Sequence, residues 1–292
     1  MEEIKRRAYG KINLGLDVLR KRPDGYHDVK MIMQMVSVYD ELTFRKISEQ
    51  EIRIVTNKEE LPFQEDNLIY KAARLILERL GSSQGILVTL EKNIPIAAGM
   101  AGGSTDAAAT LLGLNELLAG NIPMEELLSM GVKIGADVPY CILQGTALSE
   151  GIGEVLTPLP APPACSLLIG KPDISVSTKY VYENLKVDML KKHPDIDGMR
   201  RAIEEGDLEG ITSRMENVLE TVTIQRYPII GKIKEAMLKA GAINALMSGS
   251  GPTVFGVFAS GGEARQAEKE IEKTGLVKEL FTATFVNEEV AE

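Results

Sequence analysis

The residues from Pro95 to Ala109, Pro-Ile-Ala-Ala-Gly-Met-Ala-Gly-Gly-Ser-Thr-Asp-Ala-Ala-Ala, place glycines and two hydroxyls where an apolar strand passes into an Ala-rich helix. Glycine lets backbone approach a bulky anion, and the first N–H groups of a helix lack intrahelical partners, so the pattern suits phosphate oxygens. A helix start that merely needs flexible residues would explain one or two of the glycines, and spacing alone leaves both readings open. A Walker loop is excluded because no Gly-Lys-Ser/Thr follows, and Gly99, Gly102 and Gly103 do not stand in the dinucleotide-fingerprint spacing.

Other residues invite chemistry. In Lys11-Ile-Asn-Leu-Gly-Leu-Asp-Val18 the period-2 alternation sets Lys11 and Asn13 on one face of a strand, either as solvated positions or as a polar pair aimed together. Asp137 in Gly135-Ala-Asp-Val-Pro-Tyr140 is a turn former, a helix cap or an acid near a reaction centre. Ser248-Gly-Ser-Gly-Pro-Thr-Val-Phe255 is a second Gly-rich turn between apolar strands, and its plainest reading is a tight connection. In Arg22-Pro-Asp-Gly-Tyr-His-Asp28, Tyr26 offers a ring for stacking and His27 a hydrogen-bonding edge, beside the plainer reading of a turn with a packed tyrosine.

These groups need elements to position them. Ile12, Leu14, Leu16 and Val18 predict a half-buried strand, followed by antiparallel strands over 31–38 and 42–44. Asp66 or Asn67 caps a helix ending at Gly81, and 86–90 is a strand. A helix beginning after Thr105 ends near Gly120, and a short one runs from Pro123 to Met130 with Gly131 behind it. Beyond these lie a strand at 167–169, helices near 178–185, 197–205, 207–221 and 227–240, strands at 243–247 and 253–258, a helix near 261–273 and a strand near 278–286. The mixture is α+β. Thr157-Pro-Leu-Pro-Ala-Pro-Pro-Ala164 is the clearest break, so the expected domains are 1–157 and 164–292.

Composition narrows the classes. At 292 residues with 44% hydrophobic and 26% charged residues the chain is expected to be soluble, and a net charge of −9 weighs against nucleic acid as a partner. The start Met1-Glu-Glu-Ile-Lys-Arg-Arg lacks a secretory apolar stretch and no segment reaches membrane-spanning length, so a cytoplasmic location and no membrane partner are expected. Cys141 and Cys165 sit in apolar runs as buried thiols, and His27 and His193 show no metal-ligand spacing.

The loop at Pro95 to Thr105 resembles the second motif of the GHMP kinases, which usually reads Pro-x-x-x-Gly-Leu-Gly/Ala-Gly-Ser-Ser, with Met100 and Thr105 as conservative departures. The strand at Lys11 resembles their first motif and the turn at Gly249 their third, in order along essentially the whole chain. The resemblance implies a two-lobed GHMP kinase fold, with an N-terminal ribosomal-protein-S5-domain-2-like lobe and a C-terminal ferredoxin-like α/β-plait lobe. It implies ATP bound by Pro95, Ala98, Gly99, Met100, Ala101, Gly102, Gly103, Ser104 and Thr105, with Mg²⁺ near Ser104 or Thr105 but no firm ligand. Lys11 and Asp137 would be the catalytic pair, Asn13 would contact substrate, and Gly249, Ser250 and Gly251 would fold back toward the phosphate loop.

Pro-Asp-Gly-Tyr-His resembles the branch whose small-molecule acceptor carries a cytidine diphosphate group. There Tyr26 and His27 would hold the base, Tyr182 would close its other face with Tyr180 as a rival, and Thr178 would lie near the substrate. The implied reaction moves the γ-phosphoryl group of ATP to the 2-hydroxyl of 4-diphosphocytidyl-2-C-methyl-D-erythritol, in the non-mevalonate route to isoprenoid precursors. The alternatives are a homoserine or mevalonate type of kinase, or a non-catalytic ligand sensor. Oligomeric state is not legible.

Overall fold

The computed structural model describes residues 2–58, 61 and 66–287. The chain forms two compact units, one from Met1–Gly10, Val38–Ile96 and Ala101–Leu143, the other from Lys11–Ser37, Ala97–Met100 and Gln144–Glu292. Two long paired strands, β1 (Glu3–Lys21) and β2 (His27–Ile47), each give one half to each unit. The first strand is not half-buried as its alternation predicts. Ile12 and Leu14 are buried, but so are Lys11, Asn13 and Asp17, because both faces of this stretch are covered.

In the first unit β4 (Gly85–Glu91) runs antiparallel to the later half of β2, with Phe44 opposite Val88, and parallel to β3 (Ile52–Thr56). Four helices pack together here: α1 (Leu68–Leu80), α2 (Gly102–Leu117), α3 (Met124–Ile134) and α4 (Val138–Leu143). Asn67 caps α1, its side chain accepting the Ile69 N–H at 2.9 Å, and Gly81 ends it at φ +59°. Helix α2 starts at Gly102 rather than after Thr105, since the Thr105 N–H already donates to the Ala101 carbonyl at 2.9 Å. Gly113 brings α2 down on the sheet, because a Cβ there would stand 2.7 Å from the Phe44 ring. Helix α3 continues through Gly131, where a Cβ would meet Ile142 and Val138 at 3.1 Å. That glycine is a packing residue and not a stop.

In the second unit the earlier half of β2 pairs with β5 (Thr146–Glu150), which pairs with β6 (Val155–Leu159). The proline-rich segment begins inside β6, and Pro158 is tolerated because β6 is an edge strand. A second sheet is built from β7 (Ser166–Lys171), β8 (Asn244–Met247), β9 (Val254–Phe258) and β10 (Glu279–Ala283) in the order β10-β7-β9-β8, antiparallel throughout. With α9 (Pro228–Lys239) ahead of β8 and α10 (Gly261–Glu272) between β9 and β10, this is the expected ferredoxin-like plait.

The same unit carries α5 (Thr178–Asn184), α6 (Ile196–Glu205), α7 (Leu208–Ser213) and α8 (Glu220–Arg226). The helix expected over 207–221 is thus two, interrupted at 214–219. The strand expected near 278–286 is also two, since β11 (Phe285–Val286) leaves β10 to pair with Val36 and Met35. Both cysteines are buried without a disulfide, and burial pushes the Cys165 thiol up to about 12. No helix among the described residues is long and apolar enough to cross a membrane.

Candidate active site

In the second unit, three sequence motifs converge. Lys11 and Asn13 project together from β1, as their spacing requires, and the Lys11 Nζ donates to Asn13 Oδ1 at 2.8 Å while the Asn13 amide contacts Met31 Sδ at 3.2 Å. The Lys11 backbone N–H donates to the Met100 carbonyl at 3.0 Å, which ties the strand to the first Gly-rich loop. That loop is tied in turn to the second one, because Ser248 Oγ donates to the Gly99 carbonyl at 2.9 Å.

Two glycines make this approach possible. Gly99 sits at φ +76°, and a Cβ on it would fall 2.3 Å from the Ser248 carbonyl oxygen. Gly249 sits at φ +56°, and a Cβ there would stand 3.3 Å from the Gly99 oxygen, 3.5 Å from Lys11 Nζ and 3.6 Å from Asn13 Oδ1. The turn at Gly249 therefore brings bare backbone beside the Lys11 ammonium, which no other residue type does without strain.

Sequence reasoning missed what holds that turn. Asn217, in the break between α7 and α8, donates from its amide to the Met247 and Gly249 carbonyls, each at 2.8 Å, and accepts the Leu219 N–H at 3.0 Å. Leu16 and the 216–218 segment exchange backbone bonds at 2.9 and 3.1 Å, which fixes Asn217 against β1. Thr223 Oγ1 donates to the Ser250 carbonyl at 3.3 Å. No local signal marked Asn217, since the sequence reads 207–221 as one helix.

The base-binding candidates lie in this unit too. The His27 and Tyr182 rings have centroids 5.2 Å apart with planes tilted by 41°. His27 is buried, and that burial, helped by the Lys21 charge, holds its imidazole below the ordinary histidine range and so neutral at pH 7. Tyr26 is 59% exposed, next to a turn in which Asp24 accepts its backbone N–H at 3.1 Å. Thr178 begins α5, and its hydroxyl lies 2.8 Å from that of Ser250. Tyr180, on the same helix, is exposed.

The remaining candidates belong to the first unit. Helix α2 opens on Ala101 at φ +55° with no side-chain cap, so Gly102, Gly103 and Ser104 present first-turn N–H groups unsatisfied by any capping side chain. Pro95 is buried ahead of them, while in the second unit Ala98 and Met100 are buried within the loop. Asp137 stands immediately before α4, partly accessible, and its carbonyl accepts the Cys141 N–H at 3.1 Å. It is thus at a helix start, which the sequence offered as one of its readings.

Comparison with known proteins agrees with the motifs. Residues 67–145 match the GHMP kinases N terminal domain and residues 199–276 match the GHMP kinases C terminal domain. The chain is 55% identical over 285 residues to the 4-diphosphocytidyl-2-C-methyl-D-erythritol kinase of Lachnoclostridium phytofermentans, covering 98% of each chain. It superposes on a crystal structure of 4-(cytidine 5'-diphospho)-2C-methyl-D-erythritol kinase with a TM-score of 0.83 at 30% identity, covering 98% of this chain and 100% of that one. A homoserine kinase from Cytophaga hutchinsonii matches in fold, with a TM-score of 0.77 at 23% identity over 99% of this chain and 95% of that one. The chain belongs to the GHMP kinases, a family of ATP-dependent kinases, in the branch of the 4-diphosphocytidyl-2-C-methyl-D-erythritol kinases.

Proposed function

We propose that this chain transfers the γ-phosphoryl group of ATP to the 2-hydroxyl of 4-diphosphocytidyl-2-C-methyl-D-erythritol, releasing ADP and the 2-phosphate. End-to-end likeness to kinases named for that acceptor, at 55% identity, carries the choice of substrate. Homoserine and mevalonate have no base to stack, and the paired His27 and Tyr182 rings favour an acceptor with one. In this reading the domains divide at 157–164, with the matched family ranges falling on either side.

The nucleotide's phosphates lie along the loop from Pro95 to Thr105, where uncapped N–H groups and the helix dipole of α2 offset their charge. Asp137 accepts the proton of the acceptor hydroxyl as its oxygen bonds to the γ-phosphorus and the bond from that phosphorus to the ADP oxygen breaks. Lys11, buried and oriented by Asn13, offsets charge on the transferred group. Gly249, Ser250 and Gly251 close beside it. His27, Tyr26 and Tyr182 hold the cytosine, and Thr178 the remainder of the acceptor. The protein works in the cytoplasm on a small molecule, without nucleic acid or membrane.

Mg²⁺ belongs to this chemistry. Among the described residues no group of three acidic, histidine or cysteine side chains is placed to hold a metal, which suits an ion carried by the nucleotide's own phosphates. Ser104, partly accessible in the first turn of α2, is the better protein ligand, because Thr105 is 2% exposed. Ser104 would help hold the ion, whose positive charge would offset that of the phosphates.

The test is ADP release with Mg-ATP and the diphosphocytidyl acceptor, beside homoserine, mevalonate and a no-acceptor control. Turnover only with the cytidyl compound is expected. Turnover with another acceptor would refute the base-binding assignment, and a folded protein inactive with all of them would make the chain a ligand sensor.

A further inference from the structure

A second buried lysine lies outside every motif named above. Lys92 ends the polypeptide that enters the phosphate loop, and its Nζ donates to Asp40 Oδ2 at 2.5 Å and to Asp106 Oδ2 at 2.6 Å. The three side chains are between 0 and 4% exposed. Asp40 Oδ1 also accepts the backbone N–H groups of Asn93 and Ile94, at 2.6 and 2.7 Å. Asp106 lies in the first turns of α2, and a Cβ on Gly102 would come within 3.0 Å of Lys92 Nζ.

These bonds join the residues just before the loop to those just after it, all within the first unit. We propose that Asp40, Lys92 and Asp106 are positioning residues: a buried clamp that fixes the start of α2 to the segment at Asn93 and Ile94 that follows β4, and so sets the N–H groups that receive the phosphates of ATP. The inference rests on the ATP reading of that loop. A packed apolar cluster would stabilise the fold at least as well as buried charges, whose desolvation offsets most of their attraction. What ionic hydrogen bonds add is direction, since each oxygen must meet its donor.

The chemistry of the clamp is lopsided. Both oxygens of Asp40 are engaged, whereas Asp106 Oδ1 is buried with no hydrogen-bond partner. A negative charge on Asp106 would therefore be half unsolvated. Burial, outweighing the attraction of Lys92, and the Asp40 charge and hydrogen bond hold the Asp106 carboxyl well above the usual carboxylate range. Lys92 stays charged because Asp106 and Asp40 outweigh the effect of its burial. The surroundings of Asp106 thus favour the proton on that carboxyl, which lessens the charge the clamp buries.

The lopsided bonding gives an unequal pair of isosteric variants. In Asp106→Asn an uncharged amide of the same shape replaces the carboxyl, its oxygen facing Lys92 and its N–H facing Asp40. Asp40→Asn removes the anion on which Lys92, Asn93 and Ile94 all converge. We would measure Mg-ATP binding by calorimetry and the KM for ATP and for acceptor in the full chain. Asp40→Asn and Asp106→Ala should each weaken ATP by about tenfold or more, with the acceptor KM within about twofold, while Asp106→Asn restores ATP affinity to within about threefold of the parent.

Losses shared equally by ATP and acceptor would reduce the clamp to a fold element and overturn the inference, as would unaltered ATP binding in Asp40→Asn. Should Asp40→Asn fail to fold, the Asp106 pair decides: ATP affinity lost in Asp106→Ala and restored in Asp106→Asn supports the clamp, and unaltered ATP binding in Asp106→Ala overturns it. Failure of the parent protein to bind ATP at all would sink the ATP reading and the clamp with it. Binding without turnover on the cytidyl acceptor would leave the clamp test standing and refute only the substrate.

Discussion

Two buried lysines, Lys11 in the middle of β1 and Lys92 just past the end of β4, are built differently. Lys11 donates to the neutral amide oxygen of Asn13, with the backbone of Gly249 drawn close to its ammonium. Lys92 lies between two carboxyls that account for its charge within the core. In the proposed reaction the Lys11 charge acts on a phosphoryl group that comes and goes. An ammonium enclosed by carboxyls is directed inward, and its effect on chemistry passes through the backbone it orders.

The sharpest way to break this comparison is to remove each charge. Lys11→Met should lower turnover by about 10²-fold or more through lost stabilisation of the transferred group. In Lys92→Met a buried carboxylate loses its partner, which costs about 3–5 kcal/mol of stability. A thermal scan beside a rate assay reads both; a Lys11 variant that turns over like the parent, or a Lys92 variant that melts like it, would reverse the assignment.

The glycines sharpen the Lys11 side of the contrast. Gly99→Ala would force a Cβ toward the Ser248 carbonyl and impose left-handed backbone on alanine, a strain of about 1–3 kcal/mol. The expected outcome is a higher KM for ATP, since the loop must shift to relieve it. Tyr182→Ala removes the ring beside His27 and should raise the acceptor KM by about tenfold at most, given about 0.5–1.5 kcal/mol for an aromatic pair, with the ATP KM unchanged. Equal loss for both substrates would count against base stacking.

The smallest effect is a pH dependence. His27 is held neutral in the fold, so the unfolded chain takes up the proton more readily as pH falls below about 6.5. The stability tied to neutral His27 is therefore present above that pH and is lost as pH falls through the lower folded value. Denaturation midpoints between pH 7.5 and 5 should fall more steeply for the parent than for His27→Gln; identical slopes would remove His27 from the acid limb.

Much of this was legible in the sequence because it was local. The Asn67 cap, the Gly81 stop, the projection of Lys11 with Asn13 and the start of the loop at Pro95 depend on neighbours a few residues away. What escaped was set by partners distant along the chain. Gly131 reads as a helix stop until Ile142 packs on it, and Asp106 reads as one acid in an alanine run until it meets Lys92 and Asp40. Asn217 looked like a helical residue, and its bonds to Met247 and Gly249 lie some thirty positions away. The alternation of the first strand gave the partners of Lys11 but not its burial, since covering of the second face is a tertiary event.

The most direct measurement is a single-turnover phosphoryl-transfer assay on Lys11→Met and Lys92→Met, each at saturating Mg-ATP and diphosphocytidyl acceptor. The account predicts that the Lys11 variant stays slow at saturation, whereas the Lys92 variant regains most of the parent rate once its weakened nucleotide site is filled. A Lys11 variant rescued by more ATP, or a Lys92 variant that stays slow when saturated, would contradict it.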